Sequence, residues 1–466
     1  MIPDLFSASD DPRSVHFIGI SGAGMSGLAE LFARRGLRVS GCDAHPGTAA
    51  GDLAHLGIVV AEGHSPSHIG NARGVVYTSA LSPDNPELVA ARAAGIPVIR
   101  RAEALGAAVN AGDVVGVAGT HGKTTTTVMT TGALRSAGLE PTGIAGGRVA
   151  AWDGNMSFGS DRLFVVEADE YDRSFLALRP TVAVVTNIEA DHLDIYTDLA
   201  DIRDTFSRYV AGARAIVLCA DDSGADSISL PATAELIRYG LKAPDARLCA
   251  TAVRSVDGGS VFSVTYDDDR KGEVRLRVPG IHNVRNALAA IGSGIALGIE
   301  VSMLTPGLEA FTGVERRFQR IADVGGVSIV DDYAHHPTEI AATIEAARSA
   351  FPGRRLIVAF QPHLYSRTRD FADAFGRALS GADVVFLTEL YPAREKPIPG
   401  VSSDLIENAV RAAGGLLNWR GERAELATAL AAEARSGDVV ITVGAGDITR
   451  TARELSDILA QTTSAS

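Results

Sequence analysis

The stretch Asp113-Val-Val-Gly-Val-Ala-Gly-Thr-His-Gly-Lys-Thr-Thr-Thr-Thr127 constrains the fold more than any other part of the chain. The apolar run from Val114 to Ala118 predicts a buried strand. It ends in Gly119, Thr120, His121, Gly122, Lys123, Thr124 and Thr125, and behind it Val128, Met129, Leu134 and Ala137 are spaced for one face of a helix. Strand, glycine turn, Lys-Thr and helix is the layout of a phosphate-binding loop. Glycine lets backbone N–H groups approach a phosphate, the helix N-terminus adds partial positive charge, and Lys123 adds a full one. The Thr124 hydroxyl can ligate a magnesium ion bridging the phosphates. The usual loop has about four residues between its glycines; here two lie between Gly119 and Gly122. A glycine turn without a ligand is the plain alternative.

A chain of 466 residues exceeds one typical core, which predicts two or three domains. Residues 13–20 read as a buried strand running into a tight turn, Ser21, Gly22, Gly24, Met25, Ser26 and Gly27, then a helix with Leu28, Leu31 and Phe32 on one face. A second strand, Leu37 to Cys42, ends at Asp43. Such a βαβ start, with an acid about 20 residues past the turn, suits a nucleotide diphosphate without naming the nucleotide. An NAD-dependent oxidoreductase and a purely structural turn both stay open here. Further strands at 74–80 and 96–99 flank a helix with Pro86 near its start, and a boundary near 105–112 gives a first domain of 1–108.

A second domain of 109–314 follows. Leu163 to Glu167 predicts a strand ending in acids up to Glu170, and Thr181 to Asn187 one ending in Glu189, Asp191, His192 and Asp194. Carboxylates at the carboxyl ends of parallel strands lie beside a phosphate loop in this fold class and suit a metal. Arg214 to Cys219 is another strand, and the alternating runs between 245 and 278 read as antiparallel hairpins. His282, Asn283 and Asn286 open a helix; the two amides share a face and can read an adenine edge, with helix capping by Asn283 as the competing use. In a third domain, 315–466, Arg317 precedes a strand ending in Asp331, Asp332, Tyr333, His335 and His336. A second strand, 355–361, leads to a loop with His363, Arg367 and Arg369, suited to an anion or carboxylate.

The net charge of −13 argues against nucleic acid as a partner. Cys42, Cys219 and Cys249 are far apart in sequence, which predicts neither a disulfide framework nor a zinc site and suits a reducing cytosol. The N-terminal stretch lacks a basic segment followed by an apolar one, so no signal peptide is expected, and no apolar run reaches the roughly 18 residues of a membrane span.

Along essentially its whole length the chain resembles the Mur ligases of peptidoglycan synthesis. The runs that carry the resemblance are Gly119 to Thr126, Gly24 to Glu30, Glu167 to Glu170, Asp191 to Asp194, Asp331 to Glu339, Gln361 to His363 and Tyr391 to Gly400. It implies three α/β domains: a Rossmann-like domain for a UDP substrate, a central P-loop ATPase domain with a mostly parallel sheet plus antiparallel hairpins, and a Rossmann-like C-terminal domain. It implies a cytoplasmic ligase, monomer or homodimer, that uses ATP and Mg2+ to join L-alanine to the carboxylate of UDP-N-acetylmuramate through an acyl phosphate. By the resemblance, Lys123 offsets phosphate charge and Thr124 holds magnesium. Glu167 and His192 hold a second magnesium, and His282, Asn283 and Asn286 face adenine. Asp332 faces the ribose and Arg317 the γ-phosphate. Tyr333, His335 and Arg367 hold alanine. The turn from Ser21 to Ser26, with Asp43, Ser79, His121 and Asn187, holds the UDP substrate. Relatives often carry Arg where this chain has Leu364. Siblings that add acidic or diamino residues use a modified lysine after the Asp-His-x-Asp motif, and residues 194–211 contain no lysine. The nearest rival is the family's peptide-recycling ligase; a nucleotide-switched binding protein is a rival of another class.

Overall fold

The computed structural model describes residues 5–6, 11–47, 49–78, 81–393 and 395–465. It forms two compact units: Met1–Cys249 with Thr265–Lys271 and Asn286–Gly307, and Ala250–Val264 with Gly272–Arg285 and Leu308–Ser466.

The first unit holds two sheets. β1 (Ser14–Ile18), β2 (Val39–Asp43), β3 (Val59–Glu62), β4 (Ala72–Tyr77) and β5 (Val98–Arg100) form a parallel sheet in the order β3–β2–β1–β4–β5. The order reverses at β1, so the glycine turn after β1 opens into the crevice where α/β sheets bind ligands. Alternate residues of β1 serve two cores: Val15 and Phe17 join the main cluster, Ile18 a smaller one with Cys42, Val75 and Leu88.

The second sheet contains β6 (Asp113–Ala118), β7 (Thr142–Val149), β8 (Gly154–Ser157), β9 (Leu163–Glu167), β10 (Val182–Val185), β11 (Ala215–Cys219) and β12 (Glu235–Gly240), in the order β12–β11–β10–β6–β9–β7–β8. Its pairings are parallel except β7 with β8. β6 therefore sits between β10 and β9, and its phosphate loop is flanked by the two acidic strand ends. The helix that follows, Lys123–Ser136, differs from its expected one-sided pattern. Thr126, Thr127 and Thr130 are as buried as Met129 and Leu134, so the middle of this helix is enclosed on all sides, while Arg135 and Ser136 at its end are exposed. The β7–β8 pair was not anticipated, because three glycines in Thr142-Gly-Ile-Ala-Gly-Gly147 interrupt the pattern that marks strands. β13 (Leu248–Val256) joins β12 through Leu248 and Cys249.

β14 (Gly259–Tyr266) and β15 (Asp269–Leu276) follow β13 through two-residue links, which only antiparallel neighbours allow. In the second unit β16 (Gln319–Val324), β17 (Val327–Asp332), β18 (Leu356–Phe360), β19 (Val384–Thr388), β20 (Leu417–Gly421) and β21 (Val439–Val443) form a sheet in the order β16–β17–β21–β18–β19–β20, parallel apart from β16. Val330, Val358 and Phe360 pack on one face, Ile329, Ile357 and Ala359 on the other. The expected loop bearing Arg367 and Arg369 is instead the start of the helix Tyr365–Leu379, in which Arg367 is buried.

Candidate active site

The shortened phosphate loop is held by the end of β10. Thr120 N donates to Asn187 O at 3.0 Å, and Glu189 N donates to Thr120 Oγ1 at 2.9 Å. The Asn187 amide clasps the backbone of His121: its Oδ1 accepts from His121 N at 2.8 Å and its Nδ2 donates to His121 O at 3.0 Å. Asn187, expected to touch the UDP substrate, thus spends its amide positioning the loop. Gly122 has the left-handed φ of 82° at the helix N-cap. A Cβ on Gly122 would lie 2.6 Å from Asn286 Oδ1, and one on Gly119 would lie 2.0 Å from Thr186 Oγ1. Both glycines are pressed against side chains rather than open solvent. Asn286, expected at adenine, also accepts a hydrogen bond from Thr126 Oγ1 at 3.2 Å.

Lys123 lies against its own loop and one buried carboxylate. Its Nζ donates to Gly119 O at 2.7 Å and to Glu170 Oε2 at 2.7 Å and Oε1 at 3.0 Å. Burial acts to lower the Lys123 pKa, but the charges of Glu170, Asp169 and Glu167 outweigh it and hold the ammonium protonated. Burial pushes the Glu170 carboxyl up against the pull of Lys123. Thr124 Oγ1 donates to Glu167 Oε1 at 2.9 Å, and Gly146 N donates to Glu167 Oε2 at 2.5 Å. The His192 ring sits edge-on to Tyr171, with Nε2 3.8 Å from Glu170 Oε1. Glu170 therefore links Lys123 to His192. Glu170 is a candidate site residue that the sequence does not mark: the acidic run is plain, but not which of its carboxylates meets the lysine.

A cavity of about 440 Å³ in the same unit is lined by Gly22, Gly24, Met25 and Asp43 from the first turn and by Gly146, Glu167 and Asp169. The first turn is thereby joined to the carboxylate that Thr124 contacts. Asp43 steadies the turn through Oδ2, which accepts from Ser21 N at 3.0 Å. Ser21 and Ser26 fall instead on a neighbouring cavity with Arg148 and Trp152. Ser79 lies outside the described residues. Two residues not anticipated line the first cavity. A Cβ on Gly24 would be 2.6 Å from Arg101 Nη1, and one on Gly27 would be 2.5 Å from Asn155 Oδ1. These glycines leave room for a guanidinium and an amide drawn from distant elements, which sequence spacing does not reveal.

In the second unit Tyr333 is flanked by cations. The Arg316 and Arg317 guanidinium carbons lie 4.7 Å and 5.0 Å from its ring centroid. Arg317 Nη1 pairs with Glu339 Oε1 at 3.3 Å, and Glu339 Oε2 accepts from His335 N at 3.0 Å. The His335 ring meets Tyr333 edge-on at 5.1 Å and stands 6.2 Å from His363. Asp332, expected at a ribose, is buried, and its oxygens accept from Phe318 N, Ala334 N and Thr343 Oγ1. Burial raises its pKa to about 6. Burial lowers His282 to about 4, helped by Arg285 and Arg317. Asn283 Nδ2 donates to Pro279 O at 2.7 Å, which ties the helix's first turn to the preceding carbonyl; a cap would instead accept from a backbone N–H. Leu364 is buried at the N-cap of the Arg367 helix with a φ of 72°.

Three family models match in succession: "Mur ligase family, catalytic domain" over residues 14–112, "Mur ligase middle domain" over 117–294 and "Mur ligase, glutamate ligase domain" over 316–446. A UDP-N-acetylmuramate–L-alanine ligase of Salinibacter ruber is 43% identical over 452 residues, 96% of this chain and 95% of its own. The chain belongs to the Mur ligase family. A second such ligase, from Laribacter hongkongensis, is 44% identical over 94% of this chain and 96% of its own. Among solved structures, the Mur ligase fold here is similar to the UDP-N-acetylmuramate–alanine ligase of Thermotoga maritima, with a TM-score of 0.82 and 28% identity over 97% of this chain and 100% of that one. It is less similar to a murein peptide ligase of Psychrobacter arcticus, with a TM-score of 0.69 and 25% identity over 96% of this chain and 99% of that one. The three-domain α/β organisation of Mur ligases accounts for the three sheets. No helix among the described residues is long and apolar enough to cross a membrane.

Proposed function

We propose that this Mur ligase uses ATP to form the amide bond between L-alanine and the lactyl carboxylate of UDP-N-acetylmuramate. The observation that carries the reading is the single cavity that runs from the Gly22–Gly24–Asp43 turn to Glu167, which Thr124 of the phosphate loop contacts. A diphosphate at the first turn would have the cation Arg101 beside it, and its sugar carboxylate would reach the phosphate loop. The relatives at 43–44% identity name the same substrates.

A carboxylate is a poor electrophile, and ligation solves this in two steps. A carboxylate oxygen attacks the γ-phosphorus of ATP, the bond to ADP breaks, and an acyl phosphate forms. The alanine amine, having lost a proton, then attacks the acyl carbon, and phosphate leaves with the original carboxylate oxygen. Lys123 offsets negative charge in both steps, and Asn187 keeps the loop's backbone in place. Thr124 and Glu167 are hard oxygen donors 2.9 Å apart, which fits Mg2+, and they would hold it with His192 nearby. Bound magnesium supplies Lewis-acid stabilisation of phosphate oxygens. By the family resemblance, His282, Asn283 and Asn286 would face adenine, Asp332 the ribose, Arg317 the γ-phosphate, and Tyr333, His335 and Arg367 alanine. With domains taken at 1–108, 109–314 and 315–466, the enzyme would work in the cytoplasm. The test supplies ATP, magnesium and UDP-N-acetylmuramate with L-alanine or with a cell-wall peptide, and follows phosphate release and product mass. Turnover with L-alanine is expected; turnover with the peptide alone would make this the recycling ligase.

A further inference from the structure

On the β1 face that carries Ile18, five ligand-type side chains converge where the proposed ligase chemistry uses none of them. His16 stands on β1, Cys42 on β2, His64 beyond β3, His68 in the turn Pro66–Ile69 and Glu87 in the helix Pro86–Ala93. Cys42 and Glu87 are fully buried and His16 is 1% exposed. Glu87 Oε2 accepts from Cys42 Sγ at 2.8 Å and lies 3.2 Å from His64 Nδ1, which is itself 3.3 Å from Cys42 Sγ. Glu87 Oε1 is 2.6 Å from His68 Nδ1 and accepts from Ser65 N at 3.0 Å. One ligand atom each of His16, Cys42 and Glu87 fall within 4.8 Å of one another.

Hydrogen bonding alone accounts for this cluster except at one atom. His16 Nδ1 meets Ser40 Oγ at 3.0 Å, but its Nε2 is buried without a hydrogen-bond partner among the described residues. An orphaned imidazole nitrogen in an apolar setting is costly unless something takes its lone pair or proton. The other distances resemble a coordination shell. Zinc–sulfur and zinc–nitrogen bond lengths put neighbouring ligand atoms of a tetrahedral site about 3.3–3.7 Å apart. The triangle of Cys42 Sγ, His64 Nδ1 and Glu87 Oε2, with edges of 2.8–3.3 Å, is one slightly contracted face of such a shell.

We propose that Cys42, His64 and Glu87, with His16 or His68 as the fourth ligand, form a structural site for a zinc-class divalent cation. Thiolate, imidazole and carboxylate together select late first-row metals over magnesium. No Cys-x-x-Cys pair marks such a site, because its ligands come from five separate elements. Ligation needs the Cys42 thiolate, so binding releases a proton and strengthens as pH rises. The ion would pin the segments around His64 and Glu87 to the sheet and fix the residue next to Asp43.

The test is made on the full chain, purified without chelator. Metal content is measured by mass spectrometry after gel filtration, and the metal-stripped protein is titrated with Co2+. The proposal expects about one equivalent of zinc per chain and a thiolate-to-cobalt charge-transfer band, with band and tight zinc both lost in Cys42→Ser. Should that variant fail to fold, His64→Ala is expected to lose tight zinc alike. Zinc well below one equivalent together with no charge-transfer band would overturn the proposal and leave a hydrogen-bonded cluster only. So would a cobalt spectrum that Cys42→Ser leaves unchanged.

Discussion

The first unit contains the same device twice, a parallel strand running through a glycine turn into a helix, and the two copies are furnished differently. The phosphate loop carries its own cation, balances it with Glu170, and is clasped by Thr186, Asn187 and Glu189 from the next strand. The turn after β1 has no charge of its own; its nearest cation, Arg101, arrives from a helix that starts after β5. Gly122 needs its left-handed backbone, whereas the N-cap Gly22 has an ordinary extended one, with φ −62° and ψ 139°. A turn that stabilises a transition state is built rigidly around a fixed charge. A turn that only holds a substrate leaves space and takes its charge from a neighbour.

Four substitutions test that contrast. Lys123→Met should lower kcat by about 10³-fold or more in phosphate-release assays, since it removes charge from the transition state, with KM for UDP-N-acetylmuramate little changed. Gly122→Ala should come next. Its Cβ meets Asn286 on a backbone glycine alone tolerates, so a rise of about 10- to 100-fold in KM for ATP is expected by steady-state kinetics. Arg101→Ala should raise KM for UDP-N-acetylmuramate about tenfold and leave KM for ATP alone, the worth of one charge-assisted hydrogen bond. Gly24→Ala should cost least, within about threefold, because its Cβ would meet only the far end of the flexible Arg101 side chain. If Gly24→Ala harms activity as much as Gly122→Ala, the two turns are equally rigid and the contrast fails.

Much of this was legible in the sequence where apolar runs end in polar clusters. Val114–Ala118, Leu163–Glu167 and Val182–Val185 all formed strands, and their ends met around Lys123. What was hidden depended on contacts between distant segments. Glu170 and Glu167 share one acidic run, and only the fold gives Lys123 to one and Thr124 to the other. Arg101 was not singled out, because only the fold sets Gly24 beside it. The β7–β8 pair was hidden by its glycines, one of which, Gly146, supplies the N–H that Glu167 accepts. Arg367 was taken for a loop residue because its His- and Arg-rich surroundings mask the helical start at Tyr365.

The central claim is that the carboxylate held from the first turn is phosphorylated at the second. The most direct measurement uses UDP-N-acetylmuramate labelled with oxygen-18 in its lactyl carboxylate, with ATP, magnesium and L-alanine, and mass analysis of the released phosphate. The account predicts one oxygen-18 atom in each phosphate formed from fully labelled substrate. Amide product accompanied by unlabelled phosphate would contradict it.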